Sequence, residues 1–195
     1  MAVNKVNCDE LEDQEIVRRS LNDLEYFKCL YEKYEPRLLY YIRKISHLSQ
    51  EEAEDVLQDS FIKIWRNLND YDPSLKLSSW LYRIVHNETI SFHRKKQSYG
   101  KNNVLPIDEI QLQDFQAELN LATDEIDKHK LTYKVLDKMP LKYKECIVLK
   151  YFEGMSYEEI SDILKIPEGT VAIRINRAKK IFKKIVTKDH ISLKP

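Results

Sequence analysis

Residues 155–184, M-S-Y-E-E-I-S-D-I-L-K-I-P-E-G-T-V-A-I-R-I-N-R-A-K-K-I-F-K-K, hold two helical patterns separated by a short turn that ends in proline. Ser156 followed by Glu159 is a capping box, in which hydroxyl and carboxylate each satisfy an amide left without a partner by the first helical turn. Ile160, Ile163 and Leu164 share one side of that helix, and Lys165-Ile166-Pro167 makes the turn. From Glu168 to about Val186 a second helix places Val171, Ile175, Ala178, Ile181 and Ile185 on one side at spacings of three or four. Arg174, Arg177, Lys180 and Lys184 fall between them on a solvent-facing arc. Two helices joined by a tight turn, the second carrying unopposed positive charge, form a helix-turn-helix pattern. Such a helix fits the major groove, with Glu168 and Thr170 closest to base edges and the first amides available to a phosphate. A solvated basic helix is the competing reading, and the capped helix in front of it favours DNA.

Charge is sorted in the same direction along the whole chain. The 195 residues carry 32 Lys plus Arg and 32 Asp plus Glu, for a formal net charge of zero. Residues 131–195 hold 14 bases and 8 acids, so this last third is +6 and the remainder −6. The stretch 171–188 has seven bases and no acid, whereas 51–59 has Glu51, Glu52, Glu54, Asp55 and Asp59 and no base.

Composition excludes several classes. With 3 scattered glycines there is no Gly-rich phosphate loop, and the abundance of helix formers favours an all-α chain. No apolar run approaches the roughly 18 residues of a spanning helix, and the acidic N-terminus shows no signal peptide. Cys8, Cys29 and Cys146 lack C-x-x-C spacing, so reduced thiols in a cytoplasmic protein fit better than a disulfide framework or zinc. The histidines lack metal spacing: His86 and His93 are seven apart, near one helix face, and read as solvated or phosphate-side groups, so neither metal nor cofactor is expected.

Further upstream, residues 16–46 read as helix, with a kink or a new first turn at Pro36. Ser49 with Glu52 is another capping box, and the acids behind it suit the positive end of the helix dipole. Ala53, Val56, Leu57, Ser60, Phe61, Ile64, Trp65 and Leu68 then trace an apolar stripe. The opposite face is acidic, which suits either solvent or a basic protein surface; the pattern leaves both open. Residues 67–78 read as a loop, and Ser78 or Ser79 as the cap of a helix running to Arg94-Lys95-Lys96. Tyr71, Trp80, Tyr82, Arg83, His86, Asn87 and Arg94 mix rings with cations, as single-stranded nucleic acid requires, although internal packing of Trp80 is slightly the better reading. Residues 97–123 lose periodicity and read as a tether, too long for the interior of one compact domain. Beyond it a helix through Ile126, Leu131, Val135 and Leu136 ends before Pro140, and the next runs until Gly154 stops it.

The block D-V-L-Q-D-S-F-I-K-I-W at 55–65, followed by W-L-Y-R-I-V-H-N at 80–87, resembles region two of bacterial sigma factors. The block from Leu136 to Val171, L-D-K-M-P-L-K-Y-K-E-C-I-V-L-K-Y-F-E-G-M-S-Y-E-E-I-S-D-I-L-K-I-P-E-G-T-V, resembles their region four. With two regions and a short tether, the chain is similar to the extracytoplasmic-function sigma factors. The resemblance implies an all-α protein of two small helical domains, region two over 16–97 and region four over 124–188, joined by a flexible linker over 98–123. It implies a cytoplasmic, non-enzymatic subunit, nucleoid-associated in holoenzyme, that directs promoter recognition, promoter melting and transcription initiation. Its partners would be the clamp of the largest core RNA polymerase subunit, the flap of the second, promoter DNA both duplex and melted, and an anti-sigma factor.

At matched positions, the resemblance assigns Asp55, Gln58, Asp59, Phe61 and Trp65 to polymerase. It assigns Tyr71, Trp80, Tyr82, Arg83, His86, Asn87 and Arg94 to the minus-ten element, with loop 69–78 reading an extruded base. Thr170, Arg174, Asn176, Arg177 and Lys180 fall to the minus-thirty-five element. The sequence departs from the family's habit at Ser161 and Lys165, where Ala and Gly are common, and at Ala172 and Ile173, where polar residues are. Lys165 would then have to adopt positive φ. A helix-turn-helix regulator that binds duplex DNA alone is the alternative, distinguished by the 55–65 block, which a simple repressor does not need.

Overall fold

The structure, a computed structural model, describes residues 7–8, 11–99, 132 and 134–190. Every regular element among them is helical, in two compact units, Met1–Arg43 with Leu48–Gly100 and Lys44–His47 with Lys101–Pro195. Most of the expected linker over 98–123 lies outside the described residues.

In the first unit the helices are α1 (Asp13–Ser20), α2 (Leu24–Ile45), α3 (Gln50–Arg66) and α4 (Leu77–Tyr99), with a 3₁₀ turn at Leu68–Asp70. The helix expected over 16–46 is broken, but not at Pro36, which lies inside α2. The break falls at residues 21–23 because Asp23 caps the next helix: its Oδ1 accepts from the Glu25 amide at 3.0 Å. Leu30, Leu38 and Ile42 of α2, Ala53 and Ile64 of α3, and Leu81 and Val85 of α4 form a core with no exposed surface. The capping box of α3 is formed as the sequence predicts, Ser49 Oγ accepting from the Glu52 amide and Glu52 from the Ser49 amide. Helix α4 starts at Leu77, so Ser78 and Ser79 lie in its first turn rather than capping it.

The expectation of three reduced thiols is also corrected. Cys8 and Cys29 are joined in a disulfide, with Cα atoms 5.2 Å apart. Their separation of 21 residues carried no spacing signal; it is the packing of the segment before α1 along α2 that brings them together. Lys33 of α2 pairs with Asp13 at 2.9 Å, and the Tyr34 hydroxyl donates to the same carboxylate at 2.6 Å. Cys146 remains a buried thiol, and burial pushes its pKa up to about 12, which leaves it unreactive.

In the second unit the backbone is helical over 134–137, and α5 (Leu141–Ile147) follows Pro140. The single helix expected up to Gly154 instead widens into a π-helical turn at Val148–Phe152, where the Glu153 amide reaches the carbonyl of Val148. Residues 144–149 are all buried, four in the regular helix and two in the wider turn, so this segment is enclosed on every side. Gly154 ends it at φ 71°. Then come α6 (Tyr157–Leu164) and α7 (Glu168–His190). Ser156 and Glu159 cap α6 reciprocally, as read. Lys165 takes φ 53° and ψ 47°, the left-handed conformation the turn requires. Ser161, in the place of the smaller alanine, donates its hydroxyl to the Ile166 carbonyl at 2.6 Å and so braces the turn.

Candidate functional site

Helix α3 presents two kinds of surface. Val56, Leu57, Ser60, Phe61 and Ile64 face the core, and Asp55, Gln58 and Asp59 are exposed on the other side. Phe61 is only 4 % exposed, so it supports the surface from beneath, while Trp65 is 41 % exposed at its edge. An aromatic cluster holds both in place. Phe27 meets the Trp65 ring edge-on at 4.8 Å and Phe61 at 6.3 Å, and Tyr31 lies 4.6 Å from Phe61. Ile62, 50 % exposed on the acidic face, escaped the sequence reading. Its signal was there: it is apolar yet out of register with the stripe that runs through Phe61 and Ile64. The result is an acidic face with two apolar side chains, Ile62 and Trp65, exposed on it. Lys63 pairs with Glu88, and Lys96 with Glu52, so α3 is tied to α4 at both ends.

The residues assigned to melted DNA divide sharply. Tyr71, Trp80, Tyr82 and His86 are buried, Arg83 is half-buried, and Asn87 and Arg94 are exposed. Trp80 packs against Tyr71 with rings 5.5 Å apart, and Tyr82 against Tyr41 at 5.1 Å. His86 Nδ1 lies 3.0 Å from the Tyr41 hydroxyl, and burial depresses its pKa to about 4, so it stays neutral. These rings pack inside the unit, and only Asn87, Arg94 and part of Arg83 reach its surface. The loop after α3 is shaped by Tyr71, whose hydroxyl donates to the Leu75 carbonyl at 2.6 Å, and by Asp72, which accepts from the Ser74 amide. Beside the loop lies an open cleft of about 500 Å³ between residues 71–78 and Glu12, Asp13 and Gln14 of the α1 end. Gln14 Nε2 donates to the Pro73 carbonyl at 3.2 Å, fixing that wall. The contribution of α1 had no sequence signal, because it depends on a contact 59 residues apart.

On α7 the sequence-assigned residues come together on one exposed arc, with one qualification. Val171, Ile175 and Ala178 are fully buried, while Asn176, Arg177 and Lys180 are exposed and Thr170 is half-buried. Arg174 turns partly inward: its Nη1 donates to Glu145 Oε1 at 3.0 Å. Glu145, on α5, is 7 % exposed, and burial pushes its carboxyl up to about 7 even though Arg174 draws it down. The pair thus fixes α7 to α5 through a group whose protonation changes near neutrality. Ile173, beside Arg174, is 54 % exposed.

The Sigma-70 region 2 family matches residues 30–99, and the Sigma-70 region 4 family matches 129–181. The ECF RNA polymerase sigma factor SigW of Bacillus subtilis is 36 % identical over 141 residues, covering 68 % of this chain and 74 % of that protein. The RNA polymerase sigma-H factor of Pseudomonas aeruginosa is 29 % identical, covering 89 % of this chain and 93 % of its own length. Among solved structures, CnrH in complex with the cytosolic domain of CnrY superposes with a TM-score of 0.67 at 21 % identity, over 91 % of this chain and 98 % of that one. The sigma factor RpoE of Bartonella quintana, in complex with the anti-sigma factor NepR, gives 0.62 at 24 % identity, over 84 % and 98 %. At those identities the structural likeness is one of fold.

Proposed function

The chain belongs to the extracytoplasmic-function sigma factors and acts as an RNA polymerase sigma factor in transcription initiation, and from that premise we propose how its two units divide the work. The first unit, residues 16–97, docks on the clamp of the largest polymerase subunit through Asp55, Gln58, Asp59 and Trp65, with Ile62 added and Phe61 beneath them. The observation that carries this is the exposed acidic face of α3 with apolar side chains set in it. Acid there repels DNA and suits a basic protein groove.

Loop 69–78 takes an extruded base of the minus-ten element into the cleft beside α1. Arg83, Asn87 and Arg94 hold the opened non-template strand, and Tyr71, Trp80, Tyr82 and His86 keep that surface rigid. The second unit, residues 124–188, approaches the flap of the second polymerase subunit and reads the minus-thirty-five element with Thr170, Asn176, Arg177 and Lys180. Arg174 sets the position of α7 through Glu145. Residues 98–123 tether the two. The protein catalyses no step; it supplies binding energy that favours melted promoter. It acts in the cytoplasm, on the nucleoid when in holoenzyme, and an anti-sigma factor covers the same surfaces when it is silent.

Reversing two charges tests the docking surface. Asp55→Lys with Asp59→Lys is expected to weaken core polymerase binding at least about 100-fold, since like charges facing across an interface cost several kcal/mol. Circular dichroism should stay native, because both residues are exposed. Tight core binding retained by the folded variant would refute the assignment. Run-off transcription with core polymerase separates the reading from a regulator that binds DNA alone, which would give duplex binding without promoter-specific initiation.

A further inference from the structure

The outward arc of α7 is not purely polar. Gly169, Ile173, Arg177, Lys180 and Lys184 follow one another at spacings of three and four, so they form one stripe, and all of them are exposed. Ile173 sits near the N-terminal end of that stripe and is 54 % exposed, more than any other large apolar side chain in the described part of its unit. A single exposed isoleucine is ordinary on a protein surface. Here it stands at the head of the cationic stripe of a helix whose buried side is already filled by Val171, Ile175 and Ala178.

Two neighbours sharpen its meaning. Arg174, the adjacent cation, is drawn toward Glu145 at 3.0 Å and is only half-exposed, so it does not cover Ile173. Gly169, one turn earlier, is not required by the fold. A Cβ built there meets nothing within 4 Å, and its φ lies outside the left-handed range that would call for glycine. A helix position where any ordinary residue would be preferred to glycine, with open space in front of it, suits a backbone that something outside the chain approaches closely. One helical turn of this stripe therefore offers a bare backbone followed by a branched apolar side chain, with Arg177 and Lys180 beyond to grip phosphates.

In the major groove the apolar feature that a base edge presents is the C5 methyl group of thymine. We propose that Ile173 is a specificity-determining residue, reading a thymine methyl in the duplex upstream promoter element while Gly169 lets α7 sink into the groove. The inference rests on α7 being the duplex-reading helix. Burying one methyl group changes affinity about fourfold, a local preference added to the phosphate contacts of Arg177 and Lys180.

The test replaces each thymine of the upstream element, one at a time, by deoxyuridine, which removes only the methyl. Holoenzyme reconstituted from the full chain and core polymerase is titrated with these duplexes, and the Ile173→Ala and Ile173→Val variants are compared with the parent. The expected result is one or two thymines at which deoxyuridine weakens parental binding about fourfold. That sensitivity should disappear in Ile173→Ala and persist in Ile173→Val. Because Ile173 is exposed, its truncation opens no cavity, and salt slopes should be equal in all three proteins. Parental holoenzyme that binds the upstream duplex equally well with deoxyuridine at every position would overturn the proposal. So would a deoxyuridine penalty that survives in Ile173→Ala. Holoenzyme that makes no upstream duplex contact at all would instead refute the role of α7, and the inference with it.

Discussion

The two units handle their ligand-facing side chains in opposite ways. In the first, four of the aromatic and imidazole side chains that the family pattern points to are buried, and the exposed surface is left to Arg83, Asn87, Arg94 and an adjoining cleft. In the second, Asn176, Arg177 and Lys180 stand in solvent on one helix, and burial is confined to the opposite side. On the proposed assignment, a single-strand site must hold open a shape that its ligand lacks, so much of its sequence goes into walls. A duplex arrives already shaped, and a rigid helix with charges on one arc suffices. The contrast extends to titration, because burial shifts one group in each unit into the range between pH 4 and 7. His86 is neutral with its pKa depressed to about 4, and Glu145 is raised to about 7.

The largest effect should separate Arg174 from Arg177. Arg174→Ala removes the bond that joins α7 to the buried Glu145 carboxyl and is expected to cost the second unit about 2–3 kcal/mol, read by denaturant unfolding. Arg177→Ala should leave stability alone and lower the salt slope of duplex binding by about 1. Equal stability losses in the two variants would erase the distinction between a positioning arginine and a DNA-contacting one.

Acid should move the units in opposite directions. His86 has a folded pKa below its ordinary 6.5, so its contribution is full above that value and lost as pH falls toward about 4. Glu145 has a folded pKa above its ordinary 4.5, so its contribution is full below that value and lost as pH rises to about 7. Between pH 6.5 and 4.5 the first unit should therefore lose, and the second gain, on the order of 2 kcal/mol. Trp65 and Trp80, the 2 tryptophans of the chain, both lie in the first unit, so their fluorescence follows it while far-ultraviolet dichroism follows both. Glu145→Gln should flatten the response of the second unit alone. A common response of both probes to acid would break the contrast.

The smallest effect tests what the units share. Ser49→Ala and Ser156→Ala each remove the hydroxyl of a formed capping box and should each cost about 1 kcal/mol, one in each unit. Unequal losses would mean that one cap is supported by more than its own helix.

Much of this was legible in the sequence because it depends on neighbours along the chain. Both capping boxes, the stop at Gly154 and the buried sides of α3 and α7 are consequences of spacings below five residues, while the left-handed Lys165 followed from the family resemblance. The break before α2 was misplaced because Asn22 and Asp23 signal by side-chain competition with the backbone, which is weaker to the eye than a proline. The π turn at Val148–Phe152 was invisible, since an apolar run reads equally well as an ordinary buried helix.

The amino-acid sequence by itself determined an all-helical chain, acidic early and basic late, with a helix-turn-helix at its end. Hydrophobic periodicity and local capping carry that information without reference to anything distant. Tertiary structure alone decided which polar and aromatic residues face outward. The joining of Cys8 to Cys29, the packing of Tyr71 on Trp80, the Gln14 contact that walls the cleft, and the capture of Arg174 by Glu145 all pair residues that no local spacing connects. Burial is a property of the packed unit, and so is the difference between a residue that touches a ligand and one that holds the surface in place.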